Sequence, residues 1–200
     1  AFRFLDVLLM TDLRRGWRHV KELGIAPVLL AKTFWGAAGG YLVLISVLST
    51  TRFGDAASGD VGAAGFAVGM LYAARGLGTG IGPILGRRYM GSTPSSLLRQ
   101  VAGGFFVAAA GYSLVPFTSN LWLACTFVLI AHMGGSSIWV ASTTFWQMRV
   151  ANEFRGRVFA LEFLGMTVSF TLGGVLAGLH YDRFGDVDMT LWVTSAAVAV

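Results

Sequence analysis

Four ionisable residues stand alone inside long apolar runs of this chain. Lys32 lies in residues 25–50, Arg75 in 63–86, His132 in 121–147 and Glu162 in 158–179. Each could do chemistry there. An arginine in mid-run would contact a substrate or join a gating ion pair; a buried arginine bonded to backbone carbonyls is the structural alternative. A carboxyl such as Glu162 could bind and release a proton. Equally, it could pair with Arg155 or Arg157 near one end of its run. Histidine titrates in the physiological range, yet a single one such as His132 also serves as a hydrogen-bond partner between helices. For Lys32, whose stem is long, the default is to reach back to the nearer interface.

Other chemistries find no footing. The sequence has no HxxxH, no CxxC and no carboxylate cluster, so no metal site is read from it. Cys125 is the one cysteine, which excludes a disulfide scaffold. No nucleophile–base pair stands out, which argues against an enzyme, and no cofactor is implied. The stretch from Gly78 to Pro83 superficially suggests a phosphate loop. It lacks the closing Lys-Ser/Thr and lies inside an apolar run.

The elements that must position these residues follow from composition. Hydrophobic residues are 55% of 200 and charged residues 12%, and the mean hydropathy is +0.67. A typical soluble protein carries about 25% charged residues, so the solvent of this chain is mostly lipid. Disorder is excluded on the same ground. Glycine is abundant, at 27 residues, without a collagen period.

A helix needs about 20 apolar residues to cross a bilayer. Residues 25–50, 63–86, 100–117, 121–147 and 158–179 meet that length or approach it. Residues 190–200 form a sixth, partial run. Eleven residues rise only ~16 Å, so the last helix is expected to be cut short and the chain to be a fragment. Residues 11–23 read as a basic amphipathic helix with Leu13, Trp17 and Val20 on one face. Residues 1–24 are therefore assigned as a cytoplasmic interfacial segment and 25–200 as a transmembrane helical domain.

The net charge of +5 and pI near 9.9 would suggest nucleic acid in a soluble domain. The distribution points to a bilayer instead. Eleven Lys and Arg fall before the first run and between runs two–three and four–five, whereas Arg52 and Arg183 alone fall on the other side. The basic side is cytoplasmic by the positive-inside rule. Asp55, Asp60, Asp182, Asp186 and Asp188 mark the outer loops. The expected location is the cell (plasma or inner) membrane, multi-pass, with the N-terminal end cytoplasmic.

Two internal echoes suggest inverted three-helix repeats. Gly39-Gly40-Tyr41 in run one matches Gly134-Gly135-Ser136 in run four. Gly82 to Gly86 in run two matches Gly174 to Gly178 in run five. Small residues at spacings of four (Gly65, Gly69 and Ala73; Gly76 and Gly80; Gly78 and Gly82) allow close helix packing.

Local wording goes further. Leu71-Tyr72-Ala73-Ala74-Arg75-Gly76, leading to Gly82-Pro83, resembles the eighth helix of major facilitator superfamily (MFS) exporters. Arg155-Gly156-Arg157-Val158-Phe159 resembles the segment entering their eleventh helix, and Gly173-Gly174 through Asp182-Arg183-Phe184-Gly185 the end of it. Asp12-Leu13-Arg14-Arg15-Gly16-Trp17 is similar to the lead into their seventh. The resemblance covers nearly the whole chain, in order. It implies helices seven to twelve of a bacterial drug-export-like transporter: an all-α membrane protein, a six-helix bundle of two inverted three-helix repeats. One departure is that residues 82–91 lack the acidic residue of the superfamily's cytoplasmic loop pattern, which puts that latch in doubt.

By the same resemblance, the partners are the lipid bilayer, a small-molecule substrate and six N-terminal helices of the same chain, with no nucleic acid. Trp35, Tyr72, Arg75 and Trp139 become substrate-binding residues. Glu162 and His132 become proton-coupling residues. Arg87, Arg88, Arg155 and Arg157 become gate residues or lipid contacts. Phe34, Tyr41, Thr143, Trp146 and Gln147 are further candidates for an aromatic and polar wall, with a lipid-facing belt as the alternative. The implied function is proton-coupled efflux by alternating access, an antiporter. An uptake permease of the same superfamily, or a non-transporting six-helix scaffold or sensor subunit, are the competing readings.

Overall fold

A computed structural model describes residues 2–54 and 61–199, and side chains are described from residue 11 onward, apart from Val61 and Ala199. Asp55 and Asp60 lie outside the described residues. Within them every regular element is helical. The helices are α1 (Phe2–Glu22), α2 (Ala26–Trp35), α3 (Gly40–Thr51), α4 (Val61–Met90), α5 (Pro94–Leu114), α6 (Leu121–Gln147), α7 (Asn152–Phe184) and α8 (Val187–Ala199). Three-residue-per-turn segments join α2 to α3 at Gly36–Gly39 and end α5 at Val115–Phe117.

Helix ends follow local chemistry. Thr93 caps α5 by accepting from Ser96 N at 3.3 Å, with Pro94 at the first helical position. Asn120 Oδ1 accepts from Leu123 N at 3.1 Å and starts α6. Gly185 ends α7 with φ 66°, a left-handed conformation that only glycine takes without strain.

Among the described residues, four stretches are long and apolar enough to cross a membrane: Ala26–Thr51, Pro94–Phe117, Leu121–Gln147 and Asn152–Phe184. The first is the α2–α3 rod. The run expected over 63–86 does form a helix, α4, of 30 residues. α8 is apolar but short. The expected single helix over 25–50 is interrupted where Gly36, Gly39 and Gly40 crowd against α7. A Cβ on Gly39 would collide with the Phe170 carbonyl, and one on Gly36 with the Ser169 side chain. Close backbone approach without side chains is what permits this contact.

Packing falls into two groups. α6 lies against both α4 and α5. The α2–α3 rod lies against α7 and, through Gly40 and Thr194, against α8, while α5 also meets α8. Of the three small-residue stripes on α4, only Gly78 and Gly82 make close contact, facing the Leu129 and Met133 carbonyls of α6. Beta carbons at Gly65, Gly69, Gly76 and Gly80 would meet nothing. Those positions lie on open faces of the helix. The two matched glycine pairs also have different neighbours: Gly39 meets α7, whereas Gly134 meets Gly104 of α5.

α1 is amphipathic as expected. Val20 is fully buried, while Arg14, Arg15, Arg18 and Lys21 are exposed. Its apolar side does not stand free, because Gly16 sits against Arg157 and Leu161 of α7, and Asp12 pairs with Arg157 at 3.1 Å.

Candidate functional site

The interior polar groups gather in two adjacent places. The first is a cavity of about 310 Å3 where the α2–α3 rod, α4, α5, α6 and α7 converge. Its walls include Trp35, Arg75, Tyr112, His132, Trp139 and Phe170. Of the four expected substrate-binding residues, Trp35, Arg75 and Trp139 line it. Tyr72 does not. Its ring lies 5.9 Å from the Arg75 guanidinium and its hydroxyl donates to the Leu42 carbonyl at 3.4 Å, so it borders Arg75 from outside.

Arg75 is half-buried, and its Nε is buried with no hydrogen-bond partner among the described residues. No carboxylate pairs with it there. The expectation of an arginine tied to backbone carbonyls is therefore not met at Nε. The neighbouring hydroxyls spend their protons on helix backbone. Thr79 donates to the Arg75 carbonyl at 2.9 Å, and Ser136 to the Met133 carbonyl at 3.2 Å.

His132 is buried and hydrogen-bonded through Nε2 to the Tyr112 hydroxyl. Tyr112 in turn stacks on Tyr41, with ring centroids 3.3 Å apart, and the Tyr41 hydroxyl donates to Ser195. The result is a column through α6, α5, α3 and α8. His132 thus bridges helices while one side of it faces the cavity. Tyr112 was not singled out by the sequence. The signal was a tyrosine in an otherwise small and apolar stretch of run three.

The second place is an ion pair. Lys32 Nζ donates to Glu162 Oε2 at 3.0 Å, and the two side chains are 3% and 2% exposed. Trp146 Nε1 donates to the other carboxylate oxygen at 2.9 Å. Lys32 also donates to Thr143 and sits 4.4 Å from the Trp139 ring centroid. This corrects two expectations. Lys32 does not reach back to an interface; its ammonium turns inward because a carboxylate at matching depth is close enough to hold it. Glu162 does not pair with Arg155 or Arg157. Arg155 donates to the Val150 and Gln147 carbonyls, and Arg157 is taken by Asp12.

Trp139 connects the two places. It lines the cavity and lies against the Lys32 ammonium. Of the further wall candidates, Thr143 and Trp146 join the ion-pair network, Tyr41 joins the tyrosine column, and Phe34 and Gln147 are exposed. Arg87 and Arg88 are exposed at the end of α4, and Arg87 lines a second cavity of about 480 Å3 between α4, α5 and α6. No group of three metal-binding side chains occurs among the described residues.

No protein-family model matches the sequence, and no curated protein and no solved structure matches it either.

Proposed function

We propose that this chain is one six-helix half, of major facilitator type, of a secondary transporter that moves small molecules by alternating access, coupled to protons and directed outward. The observation that carries this reading is an arginine-bearing cavity among apolar helices, set against a buried Lys32–Glu162 pair. A charge at the centre of a membrane helix costs about 2.5–3.5 kcal/mol on insertion scales, and such residues mark solute and proton paths. A scaffold has no need of either.

The packing supports a three-plus-three arrangement. If the α2–α3 rod is the counterpart of α6, then α7 is the counterpart of α4. Rod against α7 then mirrors α6 against α4, and rod against α8 mirrors α6 against α5. Helices α5 and α8, each other's counterparts, touch one another. The interruption at Gly36–Gly39 lies beside the cavity wall formed by Trp35 and Ala38, where a rocking helix would need its hinge. A second half of the transporter would lie against α7, whose Phe163, Leu164, Val168 and Leu172 are about half exposed. Glu162 is the proton-coupling residue in this reading, with Lys32 as its counter-charge, and His132 takes the bridging role. The basic loops face the cytoplasm, and α1 lies on that side.

Flux tests the reading. The full-length protein in proteoliposomes is given an imposed proton gradient and radiolabelled tetraphenylphosphonium, ethidium and benzenesulfonate. Gradient-driven movement of at least one solute, abolished by a protonophore and by Glu162→Gln, is the expected result. Absence of flux for all three, with protein correctly folded, would favour the scaffold.

A further inference from the structure

We infer that the Arg75 cavity is an organic-anion site, selecting small carboxylates with an aromatic body. This rests on the transport reading only for its context, since the binding argument stands on the cavity itself. Charge comes first. Among the described residues, Arg75 is the one permanently charged side chain in the wall, and no Asp or Glu lines it. Lys32, the other interior cation, is already neutralised by Glu162. Thus the cavity keeps an uncompensated positive charge in surroundings that screen poorly. An anion relieves that charge; a cation would add to it.

Hydrogen bonding agrees. The hydroxyls of Thr79 and Ser136 donate to helix carbonyls, and that of Tyr112 is engaged with His132. Those groups have little left to offer an acceptor-rich ligand. Among the described residues no carboxylate pairs with the guanidinium and its buried Nε has no partner; the terminal fork of an arginine matches a carboxylate in two-point contact. The remaining wall selects the ligand body. Trp35, Trp139 and Phe170 present rings, and about 310 Å3 is at the small end of small-molecule sites. A single aromatic ring bearing one carboxylate suits that size. Gly135 keeps the floor thin, since a Cβ there would strike the Trp35 ring.

The test is equilibrium binding to the full-length protein in lipid nanodiscs, by isothermal titration, with empty nanodiscs as the blank. The probes are benzoate, benzamide and benzamidinium, which share a shape and differ in charge. Benzoate is expected to bind at least tenfold tighter than benzamide, with benzamidinium weaker still. Arg75→Gln should erase the preference, and Arg75→Lys should restore part of it. Equal or tighter binding of benzamidinium overturns the assignment. So does absence of benzoate binding at 10-millimolar scale, on the order of the weakest affinities that count as specific. Unchanged benzoate affinity in folded Arg75→Gln also overturns it. If Arg75→Gln fails to fold, the three probes on the unmodified protein decide alone. Benzoate binding without any flux would keep the site and sink transport. Flux of the cationic solutes without benzoate preference would do the reverse.

Discussion

Removing one member of the Lys32–Glu162 pair should cost far more than removing both. Both side chains are almost fully buried, at 3% and 2% exposure. Glu162→Gln keeps an acceptor for Trp146 Nε1 but leaves the Lys32 ammonium facing a neutral amide, Thr143 and the Trp139 ring. Lys32→Met leaves the carboxylate with Trp146 alone. Breaking a buried pair from one side costs about 3–5 kcal/mol, because the survivor is an uncompensated charge. Replacing both by Lys32→Met with Glu162→Gln leaves no charge, and a cost of about 1–2 kcal/mol for altered packing and hydrogen bonds follows. The cycle therefore predicts a coupling of several kcal/mol. The assay is unfolding by SDS in mixed micelles, followed by helical circular dichroism, on the four proteins in parallel. Additive effects of the two single substitutions, within about 0.5 kcal/mol, would refute the reasoning. They would mean that the ammonium and carboxylate find other partners and that the pair is not a unit.

Other outcomes follow from the packing. Gly135→Ala should shift the Trp35 ring, narrow the cavity and destabilise by about 1–3 kcal/mol, whereas Gly76→Ala, with open space around its Cβ, should be neutral in the same unfolding assay. A large loss at Gly76 would contradict the assignment of that face as open. At the other end, Arg52 reaches Asp188 of α8 and, at 3.4 Å, the Thr118 carbonyl. Its side chain is 15% exposed and that of Asp188 39%, so Arg52→Ala should cost no more than about 1 kcal/mol, and less at high salt. A loss of 3 kcal/mol or more would show that this clasp behaves as a buried pair.

The helices were legible because lipid imposes a plain rule: backbone polar groups must be satisfied within the segment. The fourth run, Leu121–Gln147, coincides with α6 as drawn from the sequence, since Asn120 provides a cap where the apolar run begins. The break at Gly36–Gly39 was hidden. Glycine content reveals that a backbone can come close, but the neighbour that comes close, Phe170, is 130 residues and more away in sequence. The stripes on α4 show the same limit, because three looked alike and one packs. In the site, Arg75 and His132 stand out as isolated polar positions in apolar runs, Trp35 and Trp139 follow from the family resemblance, and the four converge on one cavity, whereas Tyr72, which the resemblance also implies, does not line it. The partnership of Lys32 with Glu162 was missed, although a signal existed. Each lies one to two turns inside an apolar run that follows a basic segment, and their charges are opposite.

The two interior cations can be ranked by what compensates them. Lys32 has a carboxylate at 3.0 Å, a hydroxyl and an aromatic face. Arg75 has a tyrosine ring at 5.9 Å and an unpartnered Nε. In a low-dielectric interior that difference is large, since Coulomb energies grow several-fold as the effective dielectric falls. A ligand anion entering the cavity would supply to Arg75 what Glu162 supplies to Lys32.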